Sequence, residues 1–402
     1  MTAPAYKFLV IMLGMIVAIG PLSIDMYLPG MPAIQESLNS SAGQVQLTLS
    51  SFLIGYAIGQ LIYGPISDRY GRKPVLLSGI TIFALTSMLC AVASNIETLI
   101  FLRFLQAAGG GAGVVLARAI VRDYFPADQT ARLLSLISIV TLGAPIIAPI
   151  LGGYLVVWAG WRSIFWTLTG IGILYLLMVS FGIRESHPPE KRKQLDLVTT
   201  LHVYLEIMRH RRSLGYILSS SLSATAIFAY IASAPFVFIE IYGVRPDNFG
   251  YLYGFITTGL ILCAIANSRL VIQVGLDRMI LYGHLMRMSG VLILIVLSLS
   301  PAGGLTGIVI ALLLCVSPTI IININSAAGL LHAFPQYSGT SSSISGATMF
   351  AGGALSAPVL GLLHDNTIMP LIITMALFSL SSIACYWLLV TLDKSTGPGL
   401  PD

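Results

Sequence analysis

The sequence predicts an all-α membrane protein, with twelve transmembrane helices in two six-helix pseudo-symmetric halves, and three observations carry that prediction. First, 56% of its 402 residues are hydrophobic and only 9% are charged, whereas soluble domains are about one quarter charged. Second, the apolar residues come in continuous runs of the length that crosses a hydrocarbon core, about 20 residues each. They do not form the alternating ten-residue segments of a membrane barrel. Third, a cluster of small residues and proline recurs 209 positions further along the chain.

The runs fall near 7–29, 44–65, 74–94, 97–119, 132–156, 161–183, 214–239, 249–269, 279–299, 304–330, 340–363 and 368–391. The connections are short except for 184–213, which contains Glu190-Lys191-Arg192-Lys193 and His210-Arg211-Arg212. This stretch divides the chain into an N-terminal bundle (1–183), a linker (184–213) and a C-terminal bundle (214–402). In the third observation, Gly143 and Ala148-Pro149-Ile150-Leu151-Gly152 of the fifth run recur as Gly352 and Ala357-Pro358-Val359-Leu360-Gly361 of the eleventh. The matching phase around the linker points to two related halves.

A net charge of +5 could signal nucleic-acid binding, but the distribution of the cations explains it better. Lys and Arg collect on the cytoplasmic side of membrane proteins. With the N-terminus inside, 18 of the 21 fall on that side. These are Lys7, Arg69, Arg72, Lys73, Arg118, Arg122, Arg132, seven in the linker, Arg269, Arg278, Arg287 and Lys394. Only Arg162 and Arg245 fall outside, and Arg103 lies within a run. Both termini are therefore expected in the cytoplasm. Cys90, Cys263, Cys315 and Cys385 all sit in apolar stretches without a CxxC pair, which argues against a disulfide framework or a metal site. Lys7 and the run after it look like the start of a signal peptide, but no small-residue cleavage site follows, so an uncleaved first helix is expected.

The loop after the second run reads Gly64-Pro65-Ile66-Ser67-Asp68-Arg69-Tyr70-Gly71-Arg72-Lys73-Pro74. Gly64 permits close helix packing and Gly71 a tight turn, while Asp68 can face a helix N-terminus or a basic partner. The string resembles the signature loop of the major facilitator family, and the resemblance implies a latch on the cytoplasmic side through an acid at the end of the fourth run, which Asp123 supplies. The corresponding loop of the second half, Arg269 to Gly275, is degraded.

Arg103 stands inside the fourth run, in Arg103-Phe104-Leu105-Gln106. An arginine within the bilayer costs at least about 2.5–3.5 kcal/mol, so it needs an acid, carbonyls or a wet cavity. The alternative is that it snorkels outward past Glu97 or braces the structure. The fifth run carries Pro145 and Pro149-Ile150-Leu151-Gly152-Gly153, whose small residues allow close packing and whose prolines permit a kink. Asp25 lies in the first run, in Pro21-Leu22-Ser23-Ile24-Asp25-Met26-Tyr27-Leu28-Pro29. An acid held there can exchange a proton for a substrate or attract a cationic one; the alternative is a solvated turn beyond the helix end. Tyr27, Tyr56, Gln60, Tyr63, Tyr230, Tyr251, Tyr253, Asn323 and Asn325 are candidates to line a cavity. Enzyme motifs such as HExxH, a phosphate loop or GxSxG are absent from the sequence, and Gly109-Gly110-Gly111-Ala112-Gly113 reads as a helix-packing surface.

Asp25 with its flanking residues, the signature loop, Pro235-Phe236-Val237 and Asn248-Phe249-Gly250-Tyr251 together closely resemble the bicyclomycin-resistance (Bcr/CflA) branch of drug:proton antiporters. Arg103 and Gln106 are similar to a family motif linked with proton coupling, with Ala107 in place of the usual glycine. The fifth run is similar to the antiporter motif, with Ala148 replacing its first glycine. The resemblance implies efflux of small amphipathic drugs across the bacterial inner membrane by alternating access. It also implies a proton gradient as the energy source, no cofactor, no nucleic-acid partner and a monomer in the lipid bilayer. Some related exporters carry another acid two turns earlier, where this chain has Val17 and Ala18. The other transport reading is a proton symporter or facilitator for a nutrient or small peptide on the same fold.

Overall fold

Backbone polar groups inside a bilayer must be satisfied within the segment that crosses it. The computed structural model, which describes residues 3–192, 197–299, 303–363, 365 and 367–392, meets this demand with helices and contains no strand among those residues. Twelve of these helices are long and apolar enough to cross a membrane. They are span 1 (Leu9–Ser37), span 2 (Ala42–Tyr70), span 3 (Arg72–Ala91), span 4 (Ile96–Tyr124), span 5 (Arg132–Ala159) and span 6 (Arg162–Gly182). The second set is span 7 (Arg211–Ile241), span 8 (Pro246–Val274), span 9 (Leu276–Ser298), span 10 (Gly304–Ala333), span 11 (Gly339–Leu362) and span 12 (Met369–Thr391). Each expected apolar run corresponds to one of them. Lys193 and Lys394 lie outside the described residues.

Span 1 is longer than its apolar run because its prolines break the helix without ending it. An α-helix, Ile19–Asp25, passes into a 3-10 turn, Leu28–Gly30, and then into a further helix, Met31–Ser37. Pro29 and Pro32 stand in the first turns of these short pieces, where a missing N–H removes no helical bond. Asp25 thus terminates a helical segment in the middle of a span. Span 5 behaves in the opposite way. Its helix, Ala127–Ala159, continues through both Pro145 and Pro149, while span 11 is interrupted between Gly353 and Ser356. Pro358 has no N–H to offer the Ala354 carbonyl at the break.

Two compact units emerge from the packing. The first takes Met1–Asp196 with Ile231–Thr257 and Ala357–Ile368, and the second takes Leu197–Tyr230, Thr258–Ser356 and Met369–Asp402. In the first unit, span 4 is gripped through its glycines. A Cβ on Gly109 would lie 2.6 Å from the Gly79 carbonyl oxygen of span 3, and one on Gly113 would lie 2.8 Å from the Ile16 carbonyl oxygen of span 1. Such spacing leaves no room for any side chain, so the packing role expected of the Gly109–Gly113 run is met.

In the second unit, the range expected as a linker contributes a helix, Leu197–Arg209. Its Ile207 is buried with Ile217, Leu330, Phe334 and Ile344. The sequence does not reveal this role, because one apolar face on a charged segment reads equally well as a surface helix.

The charge count needs one correction. Arg287 was counted among the span-end cations, but the structure buries it at 1% exposure in the middle of span 9. Without it the expected count is 18 minus 1, or 17. A single cation inside an apolar run reads like one at the run's edge when the boundary is drawn only by hydropathy.

The glycines give a direct test of this packing. Gly109→Ala is expected to destabilise the protein by about 1–3 kcal/mol through overpacking, read as a lower thermal midpoint in detergent. Gly143→Ala, whose Cβ meets nothing within 4 Å, should stay within about 0.5 kcal/mol of the parent.

Candidate functional site

Asp25 ends the Ile19–Asp25 helix and is 4% exposed, so it is no solvated turn. Its Oδ1 accepts a hydrogen bond from the Tyr253 hydroxyl of span 8 at 2.9 Å. Tyr253 is itself buried, and its ring packs on Phe249 at 5.8 Å between centroids. Both residues belong to the first compact unit.

Arg103 of span 4 has no exposed surface, which rules out snorkelling. Its Nη1 donates to Gln106 Oε1 at 2.6 Å and its Nη2 to the Ser23 carbonyl oxygen at 3.1 Å. Gln106 Nε2 donates in turn to Ser87 Oγ of span 3 at 2.7 Å. The guanidinium lies over the rings of Phe52 (4.3 Å), Tyr27 (4.5 Å) and Phe165 (5.8 Å). No ion pair joins Arg103 to Asp25 among the described residues. A carbonyl dipole, a side-chain amide and aromatic faces stabilise the cation in place of an acid. The contact nonetheless grips span 1 at Ser23, two residues from Asp25.

The Pro149–Gly153 segment sits between span 1 and span 8. A Cβ on Gly152 would collide with the Met26 carbonyl oxygen, and one on Gly153 with the Pro246 carbonyl oxygen. From the other side, a Cβ on Gly250 would lie 2.5 Å from the Ile150 backbone. The segment therefore seats span 1 just after Asp25 and seats span 8 one turn before Tyr253. Its echo in span 11 is an echo of sequence and not of contact. Gly361 faces only Gly43 Cα at 3.7 Å, whereas Gly352 presses on Ser221 and Thr225 although its counterpart Gly143 meets nothing.

The signature loop forms a charge cluster. Gly71 turns the chain at φ 98°, a conformation that glycine adopts without strain. Arg72, buried at the start of span 3, pairs with Asp68 at 2.6 Å and with Asp123 at 3.1 Å. Its Nη1 also donates to Ser67 Oγ at 2.6 Å. The backbone N–H groups of Arg72 and Lys73 donate to the two carboxylate oxygens of Glu185 at 2.9 and 3.2 Å. Asp68 thus takes the basic partner, and Glu185 takes the helix N-terminus. Glu185 escaped the sequence reading because it is 113 residues from Arg72 and belongs to no motif. Arg69 faces outward, stacked on Tyr70 at 5.2 Å, and Gly64 leaves open room, its Cβ position 3.9 Å from Val115.

The second unit has a cation that sequence reasoning misplaced. Arg287 donates to the Ser223 carbonyl oxygen of span 7 at 3.0 Å and to Thr319 Oγ1 of span 10. In each unit, then, a buried arginine binds a backbone carbonyl of the first span of its half. His284, one turn earlier, is hydrogen-bonded to Ser219 Oγ at 3.2 Å. Gly275 keeps a positive φ of 85°, so the degraded loop retains its turn. Asp277 beside it pairs with Arg212 at 3.0 Å and accepts from the hydroxyls of Tyr216 and Tyr386, each at 2.9 Å.

The cavity candidates prove to be largely interior. Tyr27 and Thr48 share a hydrogen bond of 2.6 Å. The Tyr56 hydroxyl lies over Gly20, and Gln60 and Tyr230 are buried. Asn325 donates to Asn267 Oδ1 of span 8 at 2.6 Å. Asn323, half-buried, faces Met349 Sδ at 3.7 Å.

Twelve apolar helices, a charged signature loop and ionisable groups sealed within the spans define a membrane transporter. Residues 13–358 match the family model of the Major Facilitator Superfamily, and the chain belongs to that family. It is 34% identical to a bicyclomycin resistance protein homolog of Haemophilus influenzae over 96% of this chain and 98% of that protein. It is also 28% identical to the multidrug resistance protein MdtL of Escherichia coli O157:H7, over 91% of this chain and 92% of the relative. Among solved structures, a bacterial homolog of the human lysosomal transporter Spinster shares the fold at a TM-score of 0.78 and 14% identity, covering 97% of this chain and 98% of its own. A D-xylose-proton symporter does so at 0.74 and 14%, covering 97% and 99%.

Arg103→Lys is expected to lower stability by about 2 kcal/mol, because an ammonium cannot reproduce the fork to Gln106 and Ser23 together. A thermal midpoint in detergent reads this loss. Arg287→Lys should behave in the same way.

Proposed function

We propose that this protein exports small amphipathic drugs across the bacterial inner membrane by alternating access, in exchange for protons. One observation carries the reading: a carboxyl, Asp25, is sealed inside span 1 in a chain that is similar from end to end to a bicyclomycin resistance protein homolog. The likeness to MdtL supports the same substrate class. A drug and a proton compete for a single acid, or are coupled through it, so that binding of one releases the other.

Asp25 is the proton carrier in this scheme. Arg103 positions the backbone beside it and contributes a fixed positive field that an ionised carboxyl offsets. Asp68, Arg72 and Asp123 form the cytoplasmic latch, which stabilises the outward-open state. The chain works as a monomer with both termini in the cytoplasm and needs no cofactor beyond the proton gradient. Bicyclomycin-, phenicol- and sulfonamide-like compounds are the first substrates to try, through susceptibility profiling in a host stripped of its own pumps.

Everted vesicles with an imposed pH gradient provide the direct test. The wild type is expected to accumulate drug and release protons as it does so. Asp25→Asn should lose gradient-driven accumulation at every pH between about 6 and 8 while still binding drug. Full proton-coupled efflux in this variant would overturn the role of Asp25. Arg72→Ala should shift the conformational balance toward the state that is open to the cytoplasm, and unchanged sampling by site-directed labelling would defeat the latch.

A further inference from the structure

The hydrogen bond between Tyr253 and Asp25 couples a group that changes charge to a helix from the other half of the chain. The geometry points to Tyr253 as a positioning residue that reads the charge on Asp25, holding span 8 against span 1 when the carboxyl is ionised and releasing it when the carboxyl takes a proton. This inference rests on the proposed role of Asp25 as the proton carrier.

Three observations support it. The Tyr253 hydroxyl donates to Asp25 Oδ1 at 2.9 Å with both residues buried. A hydrogen bond to an ionised acceptor is about twice as strong as one between neutral groups, so the same contact has two strengths set by one proton. The surrounding backbone is packed for this alignment, since Gly152 meets the carbonyl of Met26 and Gly250 meets Ile150. Both contacts lie within one turn of the Asp25–Tyr253 pair. A second link of the same kind, between the hydroxyls of Tyr154 and Tyr251 at 3.0 Å, carries no carboxyl and so has no charge to read.

The other groups around Asp25 leave Tyr253 as the responsive partner. From span 4, Arg103 is engaged by Ser23, Gln106 and three rings. Span 5 has no charged residue between Arg132 and its end at Ala159. On span 1 itself, Tyr27 is committed to Thr48, and from span 2 Tyr56 lies over Gly20. At the start of span 8, Arg245 and Asp247 pair with each other at 2.9 Å. Glu240 stands on the last turn of span 7. In the step itself, a proton from solution binds to the Asp25 carboxylate and Tyr253 keeps its own. The contact weakens and no proton passes between the two side chains.

Hydrogen–deuterium exchange on the full-length protein tests this without a proton gradient. In Tyr253→Phe, exchange of the span 8 segment 249–257 is expected to rise by about fivefold. Asp25→Asn should produce a similar rise. The double variant should exceed neither single by more than about twofold, because both act on the same interaction. Additive effects would overturn the proposal, showing that Tyr253 acts only as packing. No change in Tyr253→Phe would overturn it as well. Failure of the underlying functional reading would appear elsewhere, as retained gradient-driven efflux in Asp25→Asn. Thermal midpoints of all three variants separate local release from general unfolding, and a global rise in exchange across span 4 would count against the proposal.

Discussion

The first half of this protein is organised around a buried positive charge that pairs with no acid among the described residues. Arg103 is enclosed by spans 1, 3 and 4 and by the rings of Tyr27, Phe52 and Phe165. Its hydrogen bonds go to an amide and a backbone carbonyl. A carboxylate partner would have formed a stronger pair, but such a pair would resist protonation, because the acid would be held ionised by its cation. Dipoles and π faces compensate the guanidinium instead, and Asp25 takes part in no ion pair among the described residues. The charge is met at the Ser23 carbonyl, in the span whose prolines interrupt its helix.

That broken helix explains why small residues matter so much in span 5. An irregular span 1 presents carbonyl groups sideways, and a neighbour can reach them only where it lacks a side chain. Gly152 approaches at Met26, and Gly250 of span 8 approaches span 5 at Ile150. Close packing of this sort replaces the hydrophobic driving force that helices lack in lipid. It also gives the Pro149–Gly153 segment a definite task, to hold Asp25 and Tyr253 in register.

Much of this could be read in the sequence, and the parts that could not have physical reasons. The twelve spans were legible because each is a long apolar run, and the cluster of Asp68, Arg72 and Asp123 because the loop resembles a family signature. Asp25 and Arg103 stood out as charges where lipid tolerates few. Their partners did not. Tyr253 was a cavity candidate, but at 228 residues from Asp25 no spacing marked the two as a pair. The pairing of Arg103 with a carbonyl was equally hidden, since every residue offers one. Arg287 was placed at a membrane edge because a lone cation carries no sign of its depth. The 209-residue echo pointed to two related halves, yet the span 5 helix runs through its prolines and the span 11 helix breaks.

The carboxylate of Glu185 that closes over the start of span 3 carries an implication for biogenesis. A chain is made from its N-terminus, and domains tend to fold as they emerge. Arg72 and Lys73 are synthesised early, but their backbone donors receive an acceptor only when residue 185 leaves the ribosome, after span 6 is complete. Arg72 meets Asp68 and Asp123 earlier, so what waits for the finished first bundle is the hydrogen bonding of the span 3 N-terminus. Asp25 waits longer for Tyr253, and acquires its partner only from the half of the chain that is inserted last.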